Sequence, residues 1–190
     1  MPYDPYFFGY GSLVNTATHV YSRHFPARLD GWRRVWRHTP FREMAFLTAE
    51  PYDGVYINGL IAAVPNADWI ALDAREEGYD RVPVNTGISH SAEDAGDIAV
   101  YHIPVDKHGP ADGARSILLS YLDVCVQGYL QVFGEDGGQH FFDTTAGWDV
   151  TPVLDDRAAP RYPRKQVLTA KETAFVDAQL DRLGVRFTDG

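Results

Sequence analysis

Two short stretches carry side chains that could do chemistry. Residues 6–13 read YFFGYGSL, so Gly9, Gly11 and Ser12 stand directly behind three aromatics. Without a Cβ on Gly9 or Gly11, another group can approach the main chain closely. Successive free N–H groups in such a bend form a concave anion site, and a carboxylate or a developing oxyanion would fit it. A tight turn with no ligand reads the same way, and the further glycines and lysine of a nucleotide loop are missing. Residues 72–80, LDAREEGYD, supply Glu76 and Glu77. At about 100° per residue, Glu76 falls between Trp69 and Leu72 on the apolar side of a helix, and Glu77 falls beside Asp73 on a polar strip. Glu76 is therefore the inward carboxylate. Burial raises a carboxyl pKa toward the range useful for general acid–base work. A buried glutamate held by Arg75, Arg81 or a tyrosine as plain structure is the competing reading.

The elements that must position these groups follow from the pattern. Residues 6–10 read as a buried strand ended by Gly11, and Asn15 or Thr16 can cap a short helix after it. Residues 27–39, 42–51 and 54–65 read as three strands, with a bulge expected at Gly59. Residues 66–80 read as a helix closed by Gly78. Residues 82–104 read as two strands around a polar loop. Asp112 to Phe133 carries Ile117, Leu118, Tyr121, Leu122, Cys125 and Tyr129 at helical spacing. Thr169 and Glu172 form a capping box for a last helix, stopped by Gly184. Strands in runs with helices placed between predict an α+β fold. Its sheet is expected to be curved and mostly antiparallel, or a small barrel, with the 112–133 helix packed outside it.

Composition narrows the functions. The chain has 190 residues, 45% hydrophobic, enough for one domain over residues 1–190. Its formal net charge of −9 argues against nucleic-acid binding and against anionic membranes. Cys125 is the only cysteine, so no intramolecular disulfide or cysteine-rich zinc site is expected. Neither a secretory leader nor a membrane span is read from the sequence, which makes the cytoplasm the expected location. The seven histidines show no metal-ligand spacing. Ser12 lacks the G-x-S-x-G elbow of a hydrolase. Cys125, inside an apolar helical pattern, reads as a buried thiol, and Trp32 and Trp36 read as core or pocket wall.

Taken together, FGYGSL (8–13), LDGWRRVW (29–36), LDAREEGY (72–79) and IAVYHI (98–103), in this order and spacing, resemble the γ-glutamylcyclotransferase superfamily and its ChaC-like branch. APRYPR (159–164) resembles a late pocket-lining segment. RHTPFREMAFLT departs from the His-Arg-Gly-type stretch of that branch. The resemblance implies a γ-glutamylcyclotransferase-like fold and a small-molecule γ-glutamyl substrate. It further implies Glu76 as the catalytic acid/base, a substrate site at Tyr10, Gly11, Ser12, Leu13 and Tyr162, and no metal or cofactor. The implied reaction is closure of 5-oxoproline by the substrate's own α-amine, with release of an amine or amino acid. A non-catalytic module binding γ-glutamyl compounds or carboxylates on the same scaffold is the alternative.

Overall fold

The computed structural model describes residues 3–40, 42–84, 86–109 and 115–188. The strands are β1 (Tyr6–Gly9), β2 (His24–Arg37), β3 (Phe46–Ala63), β4 (Asp80–Pro83), β5 (Ile88–His90), β6 (Ile98–His102), β7 (Ile117–Leu118), β8 (Thr145–Ala146), β9 (Val153–Leu154) and β10 (Phe187–Thr188). The helices are α1 (Ile70–Arg75), α2 (Leu119–Asp143) and α3 (Ala170–Leu183). The main sheet runs β4-β6-β1-β3-β2-β5, with β8 attached to β2. β1 pairs with β6 and β8 with β2 in parallel, and the other pairings are antiparallel. The fold is α+β with a mostly antiparallel sheet. β7, β9 and β10 form a small second sheet.

The aromatic run at the start of the chain is explained by β1's place between β3 and β6. Successive side chains of a strand point to opposite faces, and here both faces are covered. Tyr6 and Phe8 enter the principal core, whereas Phe7 joins a second cluster with Leu13, Ala62 and Leu72. Among the described residues, no helix is long and apolar enough to cross a membrane.

Several elements differ from the sequence reading. Phe46–Ala63 is one strand rather than two. The turn residues Pro51 to Gly54 act within it: β2 and β3 shift register between Asp30 and Trp32, so residues 52–55 oppose Gly31 alone. The irregularity lies there, at Gly31 with φ 74°, and not at Gly59. A Cβ on Gly59 would meet the Gly9 carbonyl oxygen at 2.4 Å and the Phe8 ring at 2.5 Å. Gly59 is bare so that β1 can pass. Residues 82–104 give parts of three strands. The helix over 66–80 shrinks to six residues, preceded by a 3₁₀ turn at Pro65–Ala67.

The helix expected from Asp112 begins at Leu119 and runs to Asp143, with a break at Gly134; residues 112–114 lie outside the described residues. It is a central element rather than an outer one, because every residue from Leu122 to Tyr129 is buried. Its surroundings explain why apolar periodicity marks it poorly. One side meets the sheet, one meets α3, and one meets the turn after β1, where a Cβ on Gly128 would touch the Asn15 nitrogen at 2.6 Å. α3 keeps the Thr169–Glu172 capping box and ends at Gly184 with φ 63°.

Candidate active site

The chain leaves β1 at Gly9 and turns through two short 3₁₀ turns, Ser12–Val14 and Thr16–Thr18. Asn15 joins them. Its carbonyl accepts from the Ala17 N–H at 3.1 Å, and its amide donates to Val124 O and Gln127 Oε1, each at 3.0 Å. The loop is thereby fastened to α2. Behind it the Tyr10 hydroxyl donates to Tyr101 O at 2.6 Å. The Tyr129 hydroxyl, accepting from the fully buried Arg34, lies 2.9 Å from the Tyr10 carbonyl and 2.6 Å from that of Asn58.

The two loop glycines are accounted for by the protein itself. A Cβ on Gly9 would lie 2.5 Å from the Leu13 Cβ, and one on Gly11 would lie 2.7 Å from the Tyr121 hydroxyl. The first hydrogen bond of the turn runs from Val14 N–H to Gly11 C=O at 3.0 Å. The amides of Ser12 and Leu13 therefore precede the bonded part of the turn.

In front of this loop lies a cavity of about 410 Å³, lined among others by Ser12, Glu76, Tyr79, Tyr121 and Tyr162. Beside it is a recess of about 30 Å³, lined by Tyr10, Gly11 and Leu13 and sharing Ser12, Glu76 and Tyr121 with the cavity. The recess has the scale of a water molecule. A substrate-sized group belongs in the larger space. The six residues singled out from the sequence thus surround one site, but unequally. Ser12, Glu76 and Tyr162 face the cavity, whereas Tyr10, Gly11 and Leu13 reach only the recess.

Glu76 follows the last turn of α1, its N–H bonded to Leu72 O at 2.9 Å, and Gly78 with φ 95° turns the chain away. Its side chain is 17% exposed and pairs with Arg75 Nε at 3.1 Å. Burial pushes its carboxyl above the usual range, against the opposing pull of Arg75, Arg164 and Arg42. Burial wins although the ion pair is short, because Arg75 also serves other acceptors. It donates to Thr18 O at 2.8 Å, Thr18 Oγ1 at 3.0 Å and Ser12 Oγ at 3.2 Å. Glu77 is exposed, and its carbonyl accepts from Arg42 at 2.8 Å.

Tyr162 comes from an irregular strap, residues 155–168, and its hydroxyl donates to Ser12 Oγ at 2.9 Å. The ring meets Tyr121 edge-on at 5.0 Å. Ser12 Oγ thus accepts from both Tyr162 and Arg75, which leaves its own proton for an acceptor in the cavity. Tyr79, whose hydroxyl donates to Leu47 O at 2.8 Å, closes the wall, and burial drives its pKa well up, as it does for Tyr121. These phenols stay neutral near pH 7 and act as hydrogen-bonding groups.

The sequence reading missed Arg42, Tyr79, Tyr121 and Arg164 as wall residues. Tyr121 was visible only as one apolar position of a helix, and the arginines show no spacing that marks them. Cys125 lies buried behind the wall, and burial holds its thiol up at about 12. Among the described residues, no group of three or more His, Cys, Asp or Glu side chains could hold a metal ion.

No family model matches the sequence, and no curated protein does. Solved structures do. A γ-glutamyl cyclotransferase superposes with a TM-score of 0.56 at 12% identity, over 92% of this chain and 99% of its own. The human uncharacterized protein loc79017 gives 0.56 at 14% identity, over 92% of this chain and 98% of its own. YkqA from Bacillus subtilis gives 0.56 at 16% identity, over 76% of this chain and 56% of its own. What these structures share with this chain is the fold. The chain has the γ-glutamylcyclotransferase-like fold that its motifs predicted.

Proposed function

We propose that this protein is a γ-glutamyl cyclotransferase acting within one domain, residues 1–190, in the cytoplasm, with Glu76 as its acid/base. The observation that supports this most is the position of Glu76. It is a largely buried carboxyl with a raised pKa, on the wall of the one cavity that also meets the Gly-x-Gly-Ser loop. The fold shared with a solved γ-glutamyl cyclotransferase gives that carboxyl a reaction to serve.

In this reading the Glu76 carboxylate takes a proton from the substrate's α-ammonium. The freed amine attacks the γ-carbonyl carbon, and the new C–N bond closes the five-membered lactam. The old C–N bond then breaks, and its nitrogen leaves with the proton that Glu76 returns. The nucleophile is tethered to its electrophile, so the protein's main task is to hold the folded conformer. Ser12 and Tyr162, bonded to each other, orient the glutamyl end. The amides at Gly11, Ser12 and Leu13 are the donors nearest to developing negative charge. The chemistry draws on no metal or cofactor.

The test is release of 5-oxoproline from a panel of γ-glutamyl amino acids, γ-glutamylamines and glutathione. Release from any member supports the proposal. Binding of γ-glutamyl compounds without release from any of them makes the non-catalytic module the better reading.

A further inference from the structure

We propose that the departing half of the substrate carries a carboxylate, and that Arg42 and Arg164 read it; this rests on the γ-glutamyl reading above. The cavity is lined by three guanidiniums, Arg42, Arg75 and Arg164, against two carboxylates, Glu43 and Glu76. That excess of positive charge stands in a chain of formal net charge −9. It is a local property of this wall, and a cleft of one sign focuses the field felt by an incoming ion.

The three guanidiniums differ in what they already hold. Arg75 is committed to Glu76, Ser12 and Thr18. Arg42 donates to the Glu77 carbonyl at 2.8 Å and lies over the Phe46 ring at 5.0 Å. The Arg164 side chain has no hydrogen bond or ion pair with any described residue. Neither Arg42 nor Arg164 meets a carboxylate among the described residues, whereas Arg33, Arg37, Arg81, Arg157 and Arg182 all do. A cavity-facing fork of N–H donors without an acid is matched to a ligand's carboxylate.

Position decides which half of the substrate they meet. Both line the larger cavity and neither borders the recess beside the loop, while Glu76 borders both. With the glutamyl end at Ser12 and the reacting carbon at Glu76, the departing group extends toward Arg42 and Arg164.

Arg164 also stands on a built support. The buried Asp156 accepts from Ser120 N–H at 2.7 Å, Ser120 Oγ at 2.6 Å and Arg161 N–H at 2.8 Å, and Ser120 Oγ in turn accepts from Tyr162 N–H at 3.2 Å. This clamp fixes the strap directly before Tyr162, Pro163 and Arg164. A departing amine without an acid leaves both guanidiniums unanswered.

The experiment compares γ-glutamyl-alanine with γ-glutamyl-ethylamide, which differ only by the departing carboxylate. The parent protein is expected to favour the alanine compound in kcat/KM by about tenfold or more, since hydrogen bonds to charged groups are worth about that. Arg164→Gln removes most of the preference. Arg42→Gln, at an exposed position, lowers it only about two- to threefold. Both guanidiniums also act on Glu76 through their charge, so the ratio of the two substrates is the readout and not either rate.

Calorimetric Kd values for the same compounds, on Glu76→Gln and on Glu76→Gln/Arg164→Gln, separate the two readings. Tighter binding of the alanine compound, lost with Arg164, without 5-oxoproline from the parent, leaves the anion site standing and removes the cyclisation. A ratio near one in both kcat/KM and Kd, or a ratio unmoved by either arginine substitution, overturns the proposal. No binding and no release of either compound overturns both readings.

Discussion

The cavity has two walls, and they are held in opposite ways. The loop wall, residues 9–15 with Glu76, is locked into the sheet and α2. Gly59 lets β1 pass, Asn15 ties the turn to Val124 and Gln127, and Tyr129, backed by Arg34, holds the Tyr10 carbonyl. The strap wall, residues 155–168, lacks regular structure except at its margins and hangs on Asp156 and on Arg157, which pairs with Asp123 at 2.7 Å and Asp177 at 2.6 Å. A packed wall keeps reacting groups in one geometry, because core neighbours cannot shift without strain. A strap held by a few polar contacts can change its sequence without disturbing the core. The difference assigns chemistry to the first wall and choice of substrate to the second.

The sharpest way to break the comparison is to damage each wall with one substitution. Gly59→Ala drives a methyl into the Gly9 carbonyl and the Phe8 ring, neither of which can yield cheaply. It is expected to cost about 3 kcal/mol, the upper end of overpacking, and to lower Tm and turnover together. Asp156→Ala frees the strap. Water can reach part of what it leaves unpaired, so the expected cost is about 1–2 kcal/mol. KM should rise severalfold with kcat changed less. A larger loss of kcat in Asp156→Ala than in Gly59→Ala would dissolve the distinction between the walls.

A pH profile sharpens it further. The carboxylate form of Glu76 is the base, and its pKa lies above the ordinary value, so kcat/KM should fall on acidification through a pKa above about 4.3. Arg164 pulls that pKa down, so Arg164→Gln should move the acid limb to higher pH, and a shift to lower pH contradicts the assignment. The smallest effect is expected of Tyr162→Phe, which removes only the bond to Ser12. It should weaken substrate binding by about 1 kcal/mol at most, seen as a fewfold rise in KM.

How much of this was legible in the sequence follows the same division. The inward turn of Glu76 could be read because Leu72 and Trp69 lie one turn earlier, and the Glu76 N–H bond to Leu72 O keeps that angle although α1 itself has only six residues. The bare backbone at Gly9 and Gly11 was legible as close approach, but not what approaches, since Tyr121 lies far along the chain. The continuity of β3 was hidden because Pro51 and Gly54 carry turn chemistry that pairing with β2 overrides. α2 was misplaced because a helix buried on several sides loses its amphipathic period. The strap was illegible: its geometry rests on Ser120 and Asp156, and no local pattern joins them.

The most direct test of the central claim is the rate of 5-oxoproline formation at saturating substrate in Glu76→Gln beside Glu77→Gln. Gln keeps the volume and hydrogen bonding of Glu76 but cannot shuttle a proton. Positioned acid–base catalysis is worth about 10²–10⁴-fold. The account predicts a loss of that order for Glu76→Gln with ligand affinity largely kept, and near-parental turnover for the exposed Glu77→Gln. Equal losses in the two variants, or undiminished turnover in Glu76→Gln, would contradict it.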